Sequence, residues 1–200
     1  MSKIVSKEEV LENLDFYVEE IEKGKIFIYP TDTILGIGCD ASNNDSIKKL
    51  KEIKKRDPKK PNSIIVPNFG WIEENCLLST ENFEFIREKL PGPYTFIIFL
   101  KNENIISNEV NPMSKTVGIR IPNNWFNEVV RKTKKPFVTT SVNISGENIA
   151  EKLAEIDDSI RNQVDYIICE EGWKSSKPST IIDLTKDSPE IIERNPPKED

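Results

Sequence analysis

Helical and strand-like spacings of apolar residues take turns along this chain. Leu11, Leu14, Val18 and Ile21 recur at helical spacing behind Ser6-x-x-Glu9, a capping box, and Gly24 closes the segment. Ile26 to Tyr29 is a short apolar run between Gly24 and Pro30, as expected of a buried strand. Asn43, Asn44 and Asp45 offer caps for a helix carrying Ile47, Leu50 and Ile53, which turns its lysines outward and stops before Pro58 and Pro61. Ser63 to Val66 predicts a second strand. Ser79 or Thr80 caps a helix with Phe83, Ile86 and Leu90 inward, ended by Pro91-Gly92-Pro93. Tyr94 to Leu100, apolar almost throughout, predicts a central strand.

Thr116 to Ile121 reads as a strand closed by Pro122, Trp125 to Val130 as a short helix, and Phe137 to Thr140 as a further strand. A helix is expected around Ala150 to Val164, then a strand from Tyr166 to Cys169 and a polar, mobile loop from Glu170 to Pro178. Ile181 to Leu184 and Ile191 to Arg194 complete the strands. Helices alternate with strands, and no repeat or low-complexity linker intervenes. The expectation is one α/β domain over residues 1–200.

Composition narrows the chemistry. No apolar run is long enough to span a membrane, and the Met-Ser-Lys start lacks the apolar region of a signal peptide. Cys39, Cys76 and Cys169 are widely spaced and form no Cys-x-x-Cys pair, so they read as free thiols of a reducing compartment, the cytoplasm. The chain has no histidine, which excludes Ser-His-Asp and Cys-His machinery and His-ligated metals. Chemistry must come from positioning, from Lys and Arg charge, or from hydroxyls and carboxylates. The net charge of −6 is uneven: Lys48 to Lys60 holds eight Lys/Arg against Glu52 and Asp57.

Five features could carry that chemistry. Thr31-Asp32-Thr33 sets two hydroxyls and a carboxylate at a strand's carboxyl end, where open α/β sheets bind ligands, although a local Asx-type turn has the same composition. Gly36-Ile-Gly38-Cys-Asp-Ala41 matches the G-x-G-x-x-A dinucleotide pattern only formally, because Pro-Thr-Asp-Thr separates the first glycine from its strand. Lys54 and Arg56 straddle a helix end, where a point charge beside a guanidinium fork suits a polyphosphate. Arg120, between Ile119 and Ile121, must face solvent or an anionic partner. Ser141-x-Asn143 follows a strand as a cap or as a hydroxyl and an amide aimed at a ligand.

In chain order these motifs form a recognisable set. Pro30-Thr31-Asp32-Thr33 with Gly36 and Gly38 comes first, then Lys54-x-Arg56 with Lys60-Pro61, then Leu90-Pro91-Gly92-Pro93-Tyr94-Thr95. Thr116-Val117-Gly118-Ile119-Arg120-Ile121-Pro122, Ser141-x-Asn143 with Ser145-Gly146, Ser179-Thr180-Ile181-Ile182-Asp183 and Arg194 follow. The set resembles the YrdC/YciO family, whose established members are L-threonylcarbamoyladenylate synthases, over roughly Leu11 to Arg194.

The resemblance implies a twisted mixed sheet with surrounding helices and a concave basic cavity. It implies a nucleotidyltransferase that joins L-threonine, bicarbonate and ATP, with Mg²⁺, into threonylcarbamoyl-AMP and pyrophosphate. The product would pass to a downstream tRNA threonylcarbamoyl transferase. Lys54 and Arg56 would be catalytic. Threonine would lie near Thr33, Arg120, the Thr139 backbone and Ser179, with Arg120 on its carboxylate. ATP would lie against Lys54, Arg56, Lys60, Thr116, Ser141, Asn143 and Arg194, and no metal ligand is implied. Leu35 stands where family members usually have an aromatic, Pro178 replaces a usual glutamate and Pro196 a usual glycine. Two other readings stand beside the synthase. One is a YciO-like paralogue with another substrate. The other is a non-catalytic RNA-binding module using Lys48–Lys60, a run without the aromatics that stack bases.

Overall fold

The computed structural model describes residues 2–193, so Arg194 and Pro196 lie outside the described residues. The first half of the chain forms β1 (Lys3–Ser6), α1 (Lys7–Glu12), α2 (Leu14–Glu22), β2 (Phe27–Tyr29), β3 (Gly36–Gly38), α3 (Asn44–Ile53), β4 (Ser63–Ile65), α4 (Phe69–Asn75), β5 (Cys76–Leu77) and α5 (Thr80–Lys89). The second half forms β6 (Tyr94–Leu100), β7 (Thr116–Arg120), α6 (Phe126–Thr133), β8 (Phe137–Ser141), α7 (Asp158–Arg161), β9 (Tyr166–Cys169), β10 (Thr180–Asp183) and β11 (Glu190–Ile192). All the strands belong to one mixed sheet in the order β1-β9-β2-β3-β8-β4-β7-β6-β10-β11, with β5 added alongside β6. Pairs β1/β9, β2/β9, β4/β7 and β6/β10 are parallel, and the rest are antiparallel. No helix among the described residues is long and apolar enough to cross a membrane.

Side-chain alternation along the strands explains both the core and the site. One face carries Ile28, Ile37, Ile64, Phe96, Ile119 and Val138, fully buried against Ile47 and Leu50 of α3 and Ile86 of α5. The opposite face begins with Phe27, Tyr29, Ile65, Phe137 and Tyr166, covered by Val10, Tyr17, Ile21, Phe126 and Val130 of α1, α2 and α6. Beyond that cover the same face continues as Thr139, Ser63, Gly118 and Ile97, which pair in register across β8, β4, β7 and β6, with Thr95 two residues along β6 from Ile97. Most residues there are small or hydroxyl-bearing, which leaves space beside that part of the sheet.

Several sequence expectations are corrected. Ser6 does cap the first helix, accepting the Glu9 N–H. Asn13 then interrupts it, and the restart shifts the buried positions to Val10, Tyr17 and Ile21 instead of Leu11, Leu14 and Val18. The helix expected around Ala150–Val164 reduces to a 3₁₀ turn at Leu153–Glu155 and the four residues of α7, because the Asp157 side chain caps a fresh start on the Ser159 N–H. Lys51 does not turn outward: it is 3% exposed and its ammonium donates to Pro58 O at 2.5 Å. The segment Glu170–Pro178 is docked by specific hydrogen bonds.

Candidate active site

This part of the sheet lines a cavity of about 320 Å³, within the range of small-molecule sites. One wall is the turn after β2. Pro30 ends the strand, and every carbonyl from there to Thr33 except that of Asp32 is held from outside. Asn124 Nδ2 donates to Pro30 O at 2.8 Å, Trp173 Nε1 to Thr31 O at 2.7 Å, and the Ser176 N–H to Thr33 O at 2.7 Å. The docked loop therefore fixes this turn, while Glu170 ties the loop to Lys7 and to Trp125 Nε1 at 2.8 and 2.9 Å.

Arg120 projects from β7 into this corner. It is 6% exposed, and its Nη2 meets Asp32 Oδ1 at 2.5 Å. Asp32 Oδ2 accepts the Asn123 N–H at 2.9 Å, so the carboxylate bridges two segments and is not confined to a local turn. Arg120 Nη1 also reaches Thr33 Oγ1 at 3.4 Å, which lies 3.0 Å from Thr31 Oγ1. Its Nε is buried without a partner. On the floor, Thr139 Oγ1 accepts from the Tyr29 hydroxyl at 2.7 Å, and Ser179 Oγ lies 2.8 Å from Thr95 Oγ1. Tyr29 stacks on Phe126 at 3.8 Å between centroids, so the floor is braced by the covered part of the sheet. Gly118 keeps the floor open: a Cβ there would lie 2.7 Å from Ser63 Oγ and 3.2 Å from Thr95 Cγ2.

The other end is built by the close of α3. Asn43 caps that helix by accepting the Ser46 N–H, and Lys54 is its C-cap. Lys55, at φ 48, takes the left-handed conformation that ends helices and turns Arg56 back towards the sheet. Arg56 lines the cavity, its Nη2 on Pro61 O at 2.6 Å and its Nε buried without a partner. Lys54 points elsewhere. It is 1% exposed, and its ammonium donates to Ser141 O, to Asn143 O at 2.9 Å and to Asn143 Oδ1 at 3.4 Å. Burial, then the neighbouring Arg56 charge, push its pKa down to about 7. Lys54 thus pins the turn after β8 from behind, where Ser141 Oγ also donates to Asn143 Oδ1 at 2.5 Å.

Of the residues expected from the sequence, Arg56, Thr116, Arg120, Thr139, Ser141 and Ser179 line one cavity. Thr33 and Asn143 support its walls through hydrogen bonds. Lys60 is exposed and outside the lining, Lys54 is behind it, and Arg194 lies outside the described residues. Among the described residues the lining cations are Arg56 and Arg120, so the run Lys48–Lys60 contributes Arg56 alone to this cavity. Thr31, Asn62, Ser63, Thr95 and Gly118 also line it. Thr95 and Gly118 left a signal, as a hydroxyl and a glycine inside otherwise apolar strands, whereas Asn62 left none. Among the described residues, no three Asp, Glu, Cys or His side chains gather as a metal cage.

Residues 19–195 match the Sua5/YciO/YrdC family, described as Telomere recombination. A Methanocaldococcus jannaschii protein provisionally named threonylcarbamoyl-AMP synthase is 36% identical over 186 residues, covering 92% of this chain and 86% of its own length. The crystal structure of Escherichia coli YciO superposes with a TM-score of 0.82 at 24% identity, over 96% of this chain and 95% of that one. Sua5 from P. abyssi in complex with L-threonine gives 0.80 at 23% identity over 96% of this chain. This chain covers 56% of that longer protein. The two structural likenesses establish the fold, and the match over most of the sequence establishes descent: the chain belongs to the Sua5/YciO/YrdC family.

Proposed function

We propose that this protein makes L-threonylcarbamoyl-AMP and pyrophosphate from L-threonine, bicarbonate and ATP, supplying the threonylcarbamoyl group for tRNA modification. The observation that carries the reading is a single cavity with Arg120 and paired hydroxyls at one end and Arg56, Thr116 and Ser141 at the other. The name of the M. jannaschii relative and the threonine complex of P. abyssi Sua5 support the same substrate class.

In this reading Arg120 holds the threonine carboxylate, and Thr33 and Ser179 orient the amino acid. The amine and bicarbonate combine to a carbamate with loss of water. A carbamate oxygen attacks the α-phosphate, and the bond to pyrophosphate breaks. No protein nucleophile is required, so the chain needs no histidine; it supplies alignment and charge. Arg56 stabilises charge growing on the leaving pyrophosphate, and Ser141 and Thr116 position the nucleotide. ATP would enter as its Mg²⁺ complex, and the cation would add to the charge that Arg56 supplies at the phosphates. The product is a mixed anhydride, so a tRNA-directed transferase is its natural recipient.

The deciding experiment is pyrophosphate release from MgATP with threonine and bicarbonate omitted in turn. The proposal requires both. Release that ignores threonine overturns it in favour of a paralogue with another acceptor. For the RNA-module reading, burial of Lys51 and Lys54 leaves fewer free charges in the run, and Lys48 and Lys49 lie within 4 Å of Glu109 and Asp165.

A further inference from the structure

Strand register sets the cavity floor out in steps. Arg120 lies opposite Ile65 at one end. Two residues from that level, about 7 Å, Thr139, Ser63 and Gly118 lie side by side across β8, β4 and β7. Two residues further on come Ser141, Pro61 and Thr116, and Arg56 Nη2 is on Pro61 O there at 2.6 Å. The middle step carries two hydroxyls that line the cavity and are not used up by the fold. Ser63 Oγ sits over Gly118, where a Cβ would lie 2.7 Å from it, and makes no hydrogen bond to the described residues. Thr139 is 6% exposed, and its Oγ1 accepts from the Tyr29 hydroxyl at 2.7 Å. Tyr29 is fully buried, so donating to Thr139 satisfies its phenol and leaves the Thr139 proton for the cavity. No described residue accepts that proton.

We propose that Ser63 and Thr139 hold the carbonate group, first as bicarbonate and then as the carbamate made from it, an assignment that rests on the reading of the site as a synthase. An unpaired hydroxyl proton calls for an acceptor. Two of them on neighbouring strands, with opposed Cβ atoms about 5 Å apart, suit one planar anion that has oxygens on both sides. An ammonium group brings donors only and would leave the Thr139 proton unpaired. Position selects the same occupant. The carbamate carbon is three bonds from the threonine carboxylate carbon, so an amino acid anchored at Arg120 sets it one step along the floor. Arg56, Thr116 and Ser141, one step beyond, then face the phosphate that the carbamate attacks. The threonine hydroxyl meets Thr33 and Ser179 at its own end. Gly118 adds no side chain in the middle step, which leaves room for the planar group beside the Ser63 hydroxyl.

The test is pyrophosphate release by the full chain in buffer depleted of carbon dioxide, with bicarbonate, threonine and MgATP varied in turn. Ser63→Ala and Thr139→Val are each expected to raise the KM for bicarbonate about 10- to 100-fold, as for a lost hydrogen bond to a charged group. The KM for MgATP should stay at the wild-type value, and so should the Kd for threonine measured by calorimetry without bicarbonate. Thr139→Ser, which keeps the hydroxyl, should match the wild type. A bicarbonate KM unchanged in Ser63→Ala and Thr139→Val overturns the assignment while the proposed function stands. Threonine binding weakened as much as bicarbonate use overturns it too, because the hydroxyls would then serve the amino acid. Wild-type release that ignores bicarbonate overturns the function and this assignment together. If Thr139→Val does not fold, its Tyr29 phenol being left unpaired, Ser63→Ala decides alone.

Discussion

Replacing Asp32 by Asn tests what holds Arg120 before substrate arrives. The pair is closed from water, the two side chains being 7% and 9% exposed, and the contact is 2.5 Å. Asn keeps the size of the side chain and one oxygen for the Asn123 N–H, but removes the charge. A buried ion pair broken on one side costs about 3–5 kcal/mol, because the remaining charge is uncompensated. Arg120 can still lean on Thr33 Oγ1 at 3.4 Å, which favours the lower end, about 3 kcal/mol. That is a large part of the 5–15 kcal/mol typical of a domain. Threonine should reverse much of the loss by bringing a carboxylate to the vacated side of the guanidinium. Ligand binding stabilises by about 2.7 kcal/mol at one hundred times Kd, so the deficit should nearly close there. Urea unfolding of wild-type and Asp32→Asn protein, with and without threonine, measures both quantities. Threoninol, which lacks the carboxylate, should restore nothing. A loss below about 1 kcal/mol, as for an exposed pair, would refute the first step. Equal stabilisation of both proteins by threonine would refute the second.

Other expectations concern Lys54, the basic run and the docked loop. The unfolded chain keeps the Lys54 proton up to its ordinary pKa of 10.5 and the folded chain releases it near 7, so the unfolded state binds more protons between those values. Stability should therefore rise with pH through that window, by at most about 1.4 kcal/mol per unit, and Lys54→Met should flatten the rise in urea midpoints at pH 7 and 9. Arg56→Ala should lower turnover about a hundred- to a thousandfold in pyrophosphate release, while Lys48→Ala/Lys49→Ala stays within about twofold. Equal, salt-graded losses in RNA retention for both variants would instead favour phosphate contacts by the whole run. Trp173→Phe, which removes the hydrogen bond to Thr31 O, should raise the KM for threonine more than that for ATP and speed amide exchange between Glu170 and Pro178.

What could be read from the sequence was decided by whether one local rule governed the residue. Ser6, Asn43 and Ser79 cap as their positions imply, because capping is a contact within one turn. Arg120 was legible for a related reason: a lone cation among apolar strand residues requires a counter-charge, and Asp32 is that group. Strand β3 was not legible. Its Gly-Ile-Gly sequence lacks strand propensity, and its glycines follow from distant packing: a Cβ on Gly38 would lie 1.8 Å from Val138 O, and one on Gly36 2.8 Å from the Tyr29 ring. The buried Ile156, Ile160 and Val164 kept helical spacing, yet the local Asp157 cap overrode a continuous helix. Lys54 shows a different limit. A lysine at a helix end looks available to phosphate, and only the return of the chain at Ser141–Asn143 shows its protons to be engaged.

The strand order also governs when the site can come into being. Strand β1 pairs with β9, far later in the sequence, and Lys3 lies opposite Tyr166. Strand β10, which follows the Ser179 hydroxyl, joins β6 with Thr180 opposite Tyr94. A nascent chain that has emerged as far as residue 100 has exposed β2, β4 and β6 without β9, β8, β7 or β10, which neighbour them in the finished sheet. Pairings this distant in sequence close late and leave strand edges open in the meantime. Open strand edges therefore persist until residue 183 emerges, and the end of the cavity that holds Ser179 is completed after the end built by Arg56, Thr116 and Ser141.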